Sequence, residues 1–264
     1  TDHSWYIRYE GPGWESDKVG YRFYLDWRNA TDIFGKKTNE MVLQKVGLDG
    51  FDSYHEPADW GMDILKVGAS LGIGSLGFWD EEKAQRVAET DSLESKIVAN
   101  GDIYSQVRTK YHGWKINDQS VNLISDFSIT AGSRLTLHQI ETDKNLDNLC
   151  TGIVKHEKGE LITNAKKEKS GWGYIATFGE QSLAEDQLGM AVIFNNKDLI
   201  ALTEDNDSHV VVLRPTLRKL EYYFLAAWEN EKEGIKDKEA FIQYLDQTIA
   251  NLNSPLEISM ITEK

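Results

Sequence analysis

The chain has 264 residues, with 40% hydrophobic side chains, 27% charged side chains and only 4 prolines, which are ordinary globular values and argue against disorder. Its formal net charge of -14 argues against a nucleic-acid ligand, because a phosphate backbone is bound by clusters of Lys and Arg. No apolar run approaches the ~20 residues that a transmembrane helix needs, so we expect no membrane span.

The first predicted strand covers residues 18–26, where apolar and polar side chains alternate as in a half-buried strand. The core face holds Val19, Tyr21, Phe23 and Leu25, and the other face holds Lys18, Arg22, Tyr24 and Asp26. Residues 61–79 then carry five glycines in an apolar stretch, which predicts a compact loop or bulged strands.

A hairpin is predicted at Asn100-Gly101, because Asn-Gly supplies the positive φ angles of a tight turn. Alternation at 121–129 and short apolar runs at 190–194, 209–213 and 220–225 predict further strands. A spacing of roughly ten residues between strands favours a sandwich over alternating strands and helices.

One segment has helical periodicity. Its apolar residues recur at three- and four-residue steps, and they are Phe241, Tyr244, Leu245, Ile249 and Leu252. They predict an amphipathic helix capped by Asp237, followed by a short strand at 256–261. We therefore expect a mainly β protein, an antiparallel β-sandwich with a short C-terminal amphipathic helix, in a single domain over residues 1–264.

The aromatic residues and the single cysteine divide between core and surface. We expect Trp27, Trp79, Trp228 and Cys150 in the core, and no disulfide can form within the chain. Trp14, Trp60 and Trp114 are candidates for stacking on a ligand.

The densest cluster of functional side chains lies in a predicted loop-rich region at about residues 10–80. Loops that carry His, carboxylates and Trp on a β scaffold are typical of a carbohydrate cleft, because a sugar ring offers apolar faces and hydroxyls. His55 is the first candidate for a catalytic group, since a His beside carboxylates can accept a proton near neutral pH. His112 is the second, although a lone His is more often structural.

Carboxylates of the same region leave two interpretations open. Glu15, Asp17, Asp59 and Asp63 fit either a glycosidase pair or calcium ligands, and surface salt bridges are the alternative to both. A metal requirement therefore stays open.

Three segments together resemble a known family. They are residues 13–24 with the Trp-Glu-Ser-Asp motif, residues 32–36 and residues 55–68. The chain resembles a domain-of-unknown-function family of bacterial polysaccharide-utilisation loci that includes an ulvan oligosaccharide dehydratase. Members often carry an additional N-terminal β region, which leaves open whether a segment precedes this chain.

The resemblance implies a galactose-mutarotase-like supersandwich, a periplasmic or extracellular location and an acidic oligosaccharide substrate with a non-reducing-end glucuronic or iduronic acid. Eliminating water across C4 and C5 of a uronic acid needs a base, an acid and a cation or donor on the carboxylate. No cofactor is required by that chemistry.

Residue roles follow as a hypothesis. His55 removes the C5 proton, Tyr24 or His112 protonates the leaving hydroxyl, and Arg22 with Lys66 binds the carboxylate. Trp14 or Trp60 supports the sugar ring, with Asp59 and Asp63 as further binding residues. A polysaccharide lyase, a glycoside hydrolase and a non-catalytic sugar-binding module are the alternatives.

Overall fold

The computed structural model describes residues 7–50, 52–167 and 170–255, so the strand predicted at 256–261 lies outside the described residues. Within those ranges the chain forms seventeen strands, three 3-10 turns and one α-helix, α1 (Lys238–Asn253). The strands are, in chain order, β1 (Gly13–Glu15), β2 (Val19–Phe23), β3 (Thr31–Lys36), β4 (Gly61–Asp63), β5 (Gly77–Trp79), β6 (Ala84–Arg86), β7 (Ser92–Asn100), β8 (Tyr104–Ile116), β9 (Gln119–Thr130), β10 (Thr136–Thr142), β11 (Leu149–Val154), β12 (Gly159–Thr163), β13 (Trp172–Glu180), β14 (Gln187–Asn195), β15 (Leu199–Glu204), β16 (Ser208–Leu213) and β17 (Lys219–Trp228). The 3-10 turns are Arg8–Glu10, Ser53–His55 and Asn196–Asp198.

The strands of the described chain form sheets of four, eight and five strands. The orders are β1-β2-β3-β4, β12-β13-β14-β17-β10-β9-β8-β7 and β15-β16-β11-β5-β6. Paired strands run antiparallel throughout. The predicted class, a mainly β antiparallel sandwich with a C-terminal helix, is confirmed.

The main core lies on one face of the eight-stranded sheet, which we call its inner face. Trp14 stacks on Phe127 with centroids 4.8 Å apart, and Tyr21 meets Phe224 edge to face at 5.3 Å. These contacts hold the four-stranded sheet on the inner face, because stacked and edge-to-face aromatic pairs bury large apolar areas. Cys150 is fully buried in a smaller cluster, as expected.

The alternation predicted for residues 18–26 is confirmed in β2, where Val19, Tyr21 and Phe23 enter the main core. The expectation that the second face is open to solvent is wrong, since all five residues of β2 are buried. Residues between β3 and β4 fold over that face and pack an apolar cluster that includes Leu43 and Tyr54. Arg22 is consequently enclosed.

The hairpin predicted at Asn100-Gly101 is confirmed, since β7 and β8 pair antiparallel on either side of it. The predicted turn chemistry is wrong, because neither residue has a positive φ. The connection is longer than a two-residue turn, and the Gly101 amide donates to the Tyr104 carbonyl at 3.1 Å.

Two tryptophans expected in the core have different environments. Trp228 is buried, but Trp27 is 58% exposed and contradicts the expectation. Trp27 lies in the turn between β2 and β3, where the Arg86 guanidinium covers its ring at 5.3 Å from the centroid.

The helix α1 confirms the predicted amphipathic segment. Its buried residues Phe241, Leu245 and Ile249 pack on the outer face of the eight-stranded sheet. The Asp237 side chain accepts a hydrogen bond from the Ala240 amide at 2.8 Å, which satisfies an otherwise unpaired donor of the first turn. In the described ranges, no helix is both long enough and apolar enough to cross a bilayer.

Gly74 tests how tightly the loop before β5 packs on the inner face. Its φ is +67°, and an added Cβ would lie 2.3 Å from Phe224 Cδ1. Gly68, with φ +55°, has nothing within 4 Å of its added Cβ. We expect Gly68→Ala to cost about 1 kcal/mol from backbone strain alone, and Gly74→Ala to cost about 3 kcal/mol because overpacking adds to strain. Denaturant unfolding measures the loss of unfolding free energy in both variants. Equal losses would contradict the close packing of Gly74 against Phe224.

Candidate active site

Adjacent strands bring one cation and two carboxylates together inside the molecule. Arg22 on β2 lies directly opposite Asp32 on β3, and Asp63 ends β4 on the next strand. Arg22 Nε and Nη2 donate to Asp32 Oδ2 at 2.9 and 2.7 Å, and Nη2 also donates to Asp63 Oδ2 at 2.6 Å. All three residues are at most 1% exposed.

Aromatic rings surround this ion cluster. The Arg22 guanidinium carbon lies 4.6 Å from the ring centroid of Tyr24, 5.0 Å from Tyr54 and 5.4 Å from Phe34. Ring faces attract cations and exclude water, so they support a desolvated guanidinium. The Tyr24 hydroxyl donates to Asp32 Oδ2 at 2.7 Å and accepts from Arg22 Nη2 at 2.5 Å.

The cluster changes the protonation of its members. Burial lowers the pKa of Arg22, but Asp32 and Asp63 raise it above its ordinary value, so the guanidinium stays charged. Burial, and then the charge of Asp63, raise the pKa of Asp32 to about 6 against the opposing effect of Arg22. Burial also raises the pKa of Tyr24, so its hydroxyl keeps its proton. Two buried carboxylates compete for one cation.

His55 connects this buried cluster to the surface. It ends the 3-10 turn Ser53–His55, and its Nδ1 lies 3.2 Å from Asp63 Oδ2. Its side chain is 35% exposed, whereas that of Asp63 is 2% exposed. When Nδ1 donates to the carboxylate, the lone pair of the neutral ring is on Nε2. A carboxylate-oriented imidazole of this kind can accept a proton from a substrate.

Further charges lie around the cluster. Arg28 Nη2 donates to Glu10 Oε1 at 2.7 Å, and Glu10 Oε2 lies 3.9 Å from Arg22 Nη1. The Arg28 guanidinium lies 3.9 Å from the Tyr24 ring centroid and also pairs with Asp26. Two guanidinium groups are thus surrounded by the four carboxylates of Glu10, Asp26, Asp32 and Asp63.

The structure therefore brings four of the predicted site residues together, namely Arg22, Tyr24, His55 and Asp63. The tryptophans lie differently. Trp14 is 3% exposed and its Nε1 donates to Thr136 Oγ1 at 2.9 Å, so its ring faces the core. Trp60 is partly buried and meets Phe34 edge to face at 5.9 Å.

Three other predicted residues are exposed. His112 lies on β8 opposite Ser92, Asp59 precedes β4, and Lys66 follows β4. In the described part of the chain, Arg22 donates to Asp32, Asp63 and Tyr24, so none of these three exposed residues is a hydrogen-bond partner of Arg22. Glu15 has a structural role, since it pairs with Lys36 Nζ at 2.8 Å and accepts from the amides of Val42 and Leu43.

Asp32 is the main site residue that sequence reasoning did not single out. It lies in one of the three segments that carry the family resemblance, but its place opposite Arg22 depends on the β2–β3 register, which the sequence pattern does not give. Glu10 and Arg28 had no comparable signal. No group of His, Cys, Asp and Glu suited to holding a metal ion occurs in residues 7–50, 52–167 and 170–255.

A separate groove lies on the outer face of the eight-stranded sheet, with a volume of about 420 Å³. A cross-strand row of Arg108, Asp126, Gln139 and Glu221 lines it. Arg108 makes a bidentate pair with Asp126 at 2.7 and 2.6 Å. None of the predicted site residues lines this groove.

Comparison with known proteins assigns the family. A family model described as a domain of unknown function, DUF4861, matches residues 1–258. The chain belongs to the DUF4861 family. No curated protein matches it.

This DUF4861 chain is also similar, at a distance, to solved structures. They include the alpha-N-acetylgalactosaminidase NagBb from Bifidobacterium bifidum, as a quadruple mutant with a TM-score of 0.46 and as a GalNAc complex with 0.44. Each is 9% identical and matches 91% of this chain. The chain spans 39% of the first structure and 38% of the second. Similarity at this level carries no information about chemistry.

Arg22→Met tests whether the buried cluster depends on one cation. We expect it to lower the unfolding free energy by about 3–5 kcal/mol, because it leaves Asp32 and Asp63 buried without their partner. Arg108→Met is the matched control, since the Arg108 side chain is 35% exposed to water and the bidentate pair that the substitution breaks is worth less, about 1 kcal/mol. Denaturant unfolding measures both, and a similarly small loss in both variants would contradict the proposed dependence.

The raised pKa of Asp32 predicts a pH dependence. The folded state holds the Asp32 proton more tightly than the unfolded state, so this group adds stability below its ordinary pKa of 3.8. That contribution is lost as pH rises through about 6. We expect Asp32→Asn to lack this term, so the stability of the wild type relative to the variant should fall with rising pH across that window. Denaturant unfolding at a series of pH values measures this difference. If the difference in unfolding free energy between the wild type and Asp32→Asn did not change with pH, the pKa of Asp32 would not be raised.

Proposed function

We propose that this chain is a carbohydrate-active enzyme that eliminates water from the non-reducing-end uronic acid of acidic, ulvan-type oligosaccharides. The observation that carries the enzymatic part is the partly exposed His55, which is oriented by buried Asp63 and thereby by Arg22. The substrate class comes from the family resemblance carried by residues 13–24, 32–36 and 55–68. That resemblance also supports a periplasmic or extracellular location.

The proposed reaction breaks the C5–H bond, forms the C4–C5 double bond and releases the C4 hydroxyl as water. His55 Nε2 takes the C5 proton, and the Asp63 carboxylate stabilises the resulting imidazolium through Nδ1–H. A second group protonates the leaving hydroxyl. The proton count balances, and no cofactor is required.

The contacts of Arg22 favour a positioning role over the substrate-binding role first considered for it. Its Nε and Nη2 already donate to Asp32 and Asp63, so we assign it to holding Asp63 in place. The surrounding surplus of carboxylates would repel a uronate. We therefore assign recognition of the substrate carboxylate to exposed Lys66, which is three residues beyond Asp63.

The remaining roles are also proposals. His112 or Tyr24 supplies the proton for the leaving hydroxyl. Trp60, which is partly buried, supports the sugar ring, and the neighbouring Asp59 accepts from sugar hydroxyls. The buried position of Trp14 favours a role in packing.

Product analysis separates this function from its rivals. A dehydratase product is lighter than the substrate by one water and absorbs in the ultraviolet as an unsaturated uronate. A polysaccharide lyase gives the same absorbance but cuts the oligosaccharide in two. A glycoside hydrolase cuts it without new absorbance, and a sugar-binding module leaves it unchanged.

His55→Ala tests the proposed base with saturated, uronate-terminated oligosaccharides as substrate. We expect the rate of product formation, followed by ultraviolet absorbance and product mass, to fall by about 10²–10⁴-fold, the usual cost of removing an acid–base group. Folding should persist, because the side chain is partly exposed. His156→Ala, at an exposed turn, is the control and should keep wild-type turnover. Turnover close to wild type in His55→Ala would remove His55 from the mechanism.

A further inference from the structure

Strand β7 forms an edge of the eight-stranded sheet. It runs for nine residues and pairs with β8 on one side, and no described strand pairs with its other side. An unpaired edge presents a row of backbone donors and acceptors that another strand can bind. The bulge in β7 lies near its end, between Ile97 and Ala99, so most of the edge is regular.

The side chains of β7 are exposed on both faces of the sheet. Leu93 and Ile97, 37% and 65% exposed, lie opposite the inward-facing Tyr111 and Val107 of β8. Glu94 and Lys96 lie on the other face, opposite Lys110 and Arg108, and both are exposed. The edge therefore carries a short apolar pair on one face and an opposite-charge pair on the other.

We propose that β7 pairs antiparallel with β7 of a second copy of this chain, about a two-fold axis through Ser95. In this register Glu94 lies opposite Lys96 of the second copy, and Leu93 lies opposite its Ile97. The symmetry repeats each pair, so two ion pairs form on one face and two apolar pairs on the other.

The charges of Glu94 and Lys96 favour this register over the two adjacent registers. Paired residues in a sheet share a face, so the two-fold axis must pass through a residue pair. An axis through residue 94 would place Glu94 opposite Glu94, and one through residue 96 would place Lys96 opposite Lys96. Like charges directly opposite each other are destabilising. The axis through Ser95 pairs opposite charges at both positions.

The dimer does not involve the proposed base or the residues that orient it. β7 belongs to the eight-stranded sheet, whereas Arg22, Asp32 and Asp63 belong to the four-stranded sheet. Loss of activity on His55→Ala therefore says nothing about dimerisation, and a monomeric variant of β7 says nothing about the base.

Sedimentation of the full chain over a concentration series tests the proposal, and we expect a monomer–dimer equilibrium. K96E places like charges opposite each other at both ion pairs and should raise the dimer Kd by about tenfold or more. Within one chain, K96E places a carboxylate opposite Arg108, and this opposite-charge pair should preserve the fold. K144E, at an exposed position, makes the same change in net charge and should leave Kd unaltered.

Charge complementation tests the register itself. E94K should also be monomeric, and circular dichroism checks its fold because residue 94 faces Lys110. A mixture of E94K and K96E places opposite charges at both pairs, so the two monomeric variants should form a heterodimer. A wild-type chain that stays monomeric at every concentration would overturn the proposal, as would a dimer that K96E does not weaken or a mixture that does not associate.

Discussion

The Arg22 guanidinium is the charge on which the candidate site depends. It is buried with Asp32 and Asp63, and removing a charge from water is costly unless its partners compensate. Donation from Nε and Nη2 supplies that compensation and fixes both carboxylates. Asp63 Oδ2 in turn lies 3.2 Å from His55 Nδ1, so the buried cluster contacts an imidazole near the surface.

The surrounding fold maintains this desolvated arrangement. On one side, β2 contributes Tyr21 and Phe23 to the main aromatic core. On the other side, the segment between β3 and β4 covers Arg22 with Tyr54. That segment also carries His55, so the same stretch of chain closes the cluster and supplies its exposed end. Packing and proposed chemistry are therefore coupled at adjacent residues.

Local periodicity predicted those elements whose boundaries depend on nearby residues. Alternation placed Tyr21 and Arg22 on opposite faces of β2, and the apolar stripe with Asp237 as cap located α1. The environment of Arg22 could not be predicted in this way, because it depends on the β2–β3 register and on a covering segment without a regular pattern. Trp27 shows the same limit, since a turn exposes it although its residue type favours burial.

Convergence of the site was predicted only in part. His55, Arg22, Tyr24 and Asp63 meet through direct contacts. Trp14 resembles a sugar-stacking residue in sequence but packs on Phe127. The difference arises because residue type alone does not specify which face of a short strand is covered by another sheet.

The tautomer of His55, measured by ¹⁵N NMR in alkaline buffer where the imidazole is neutral, tests the central claim most directly. Buried His138 is an internal reference: Tyr222 donates to the Gly74 carbonyl at 2.9 Å, so its oxygen accepts from His138 Nδ1 at 2.8 Å. Orientation by Asp63 predicts the Nδ1–H tautomer for His55 and its loss in Asp63→Ala, which removes the acceptor oxygen. A proton on Nε2 in the wild-type protein would contradict the account.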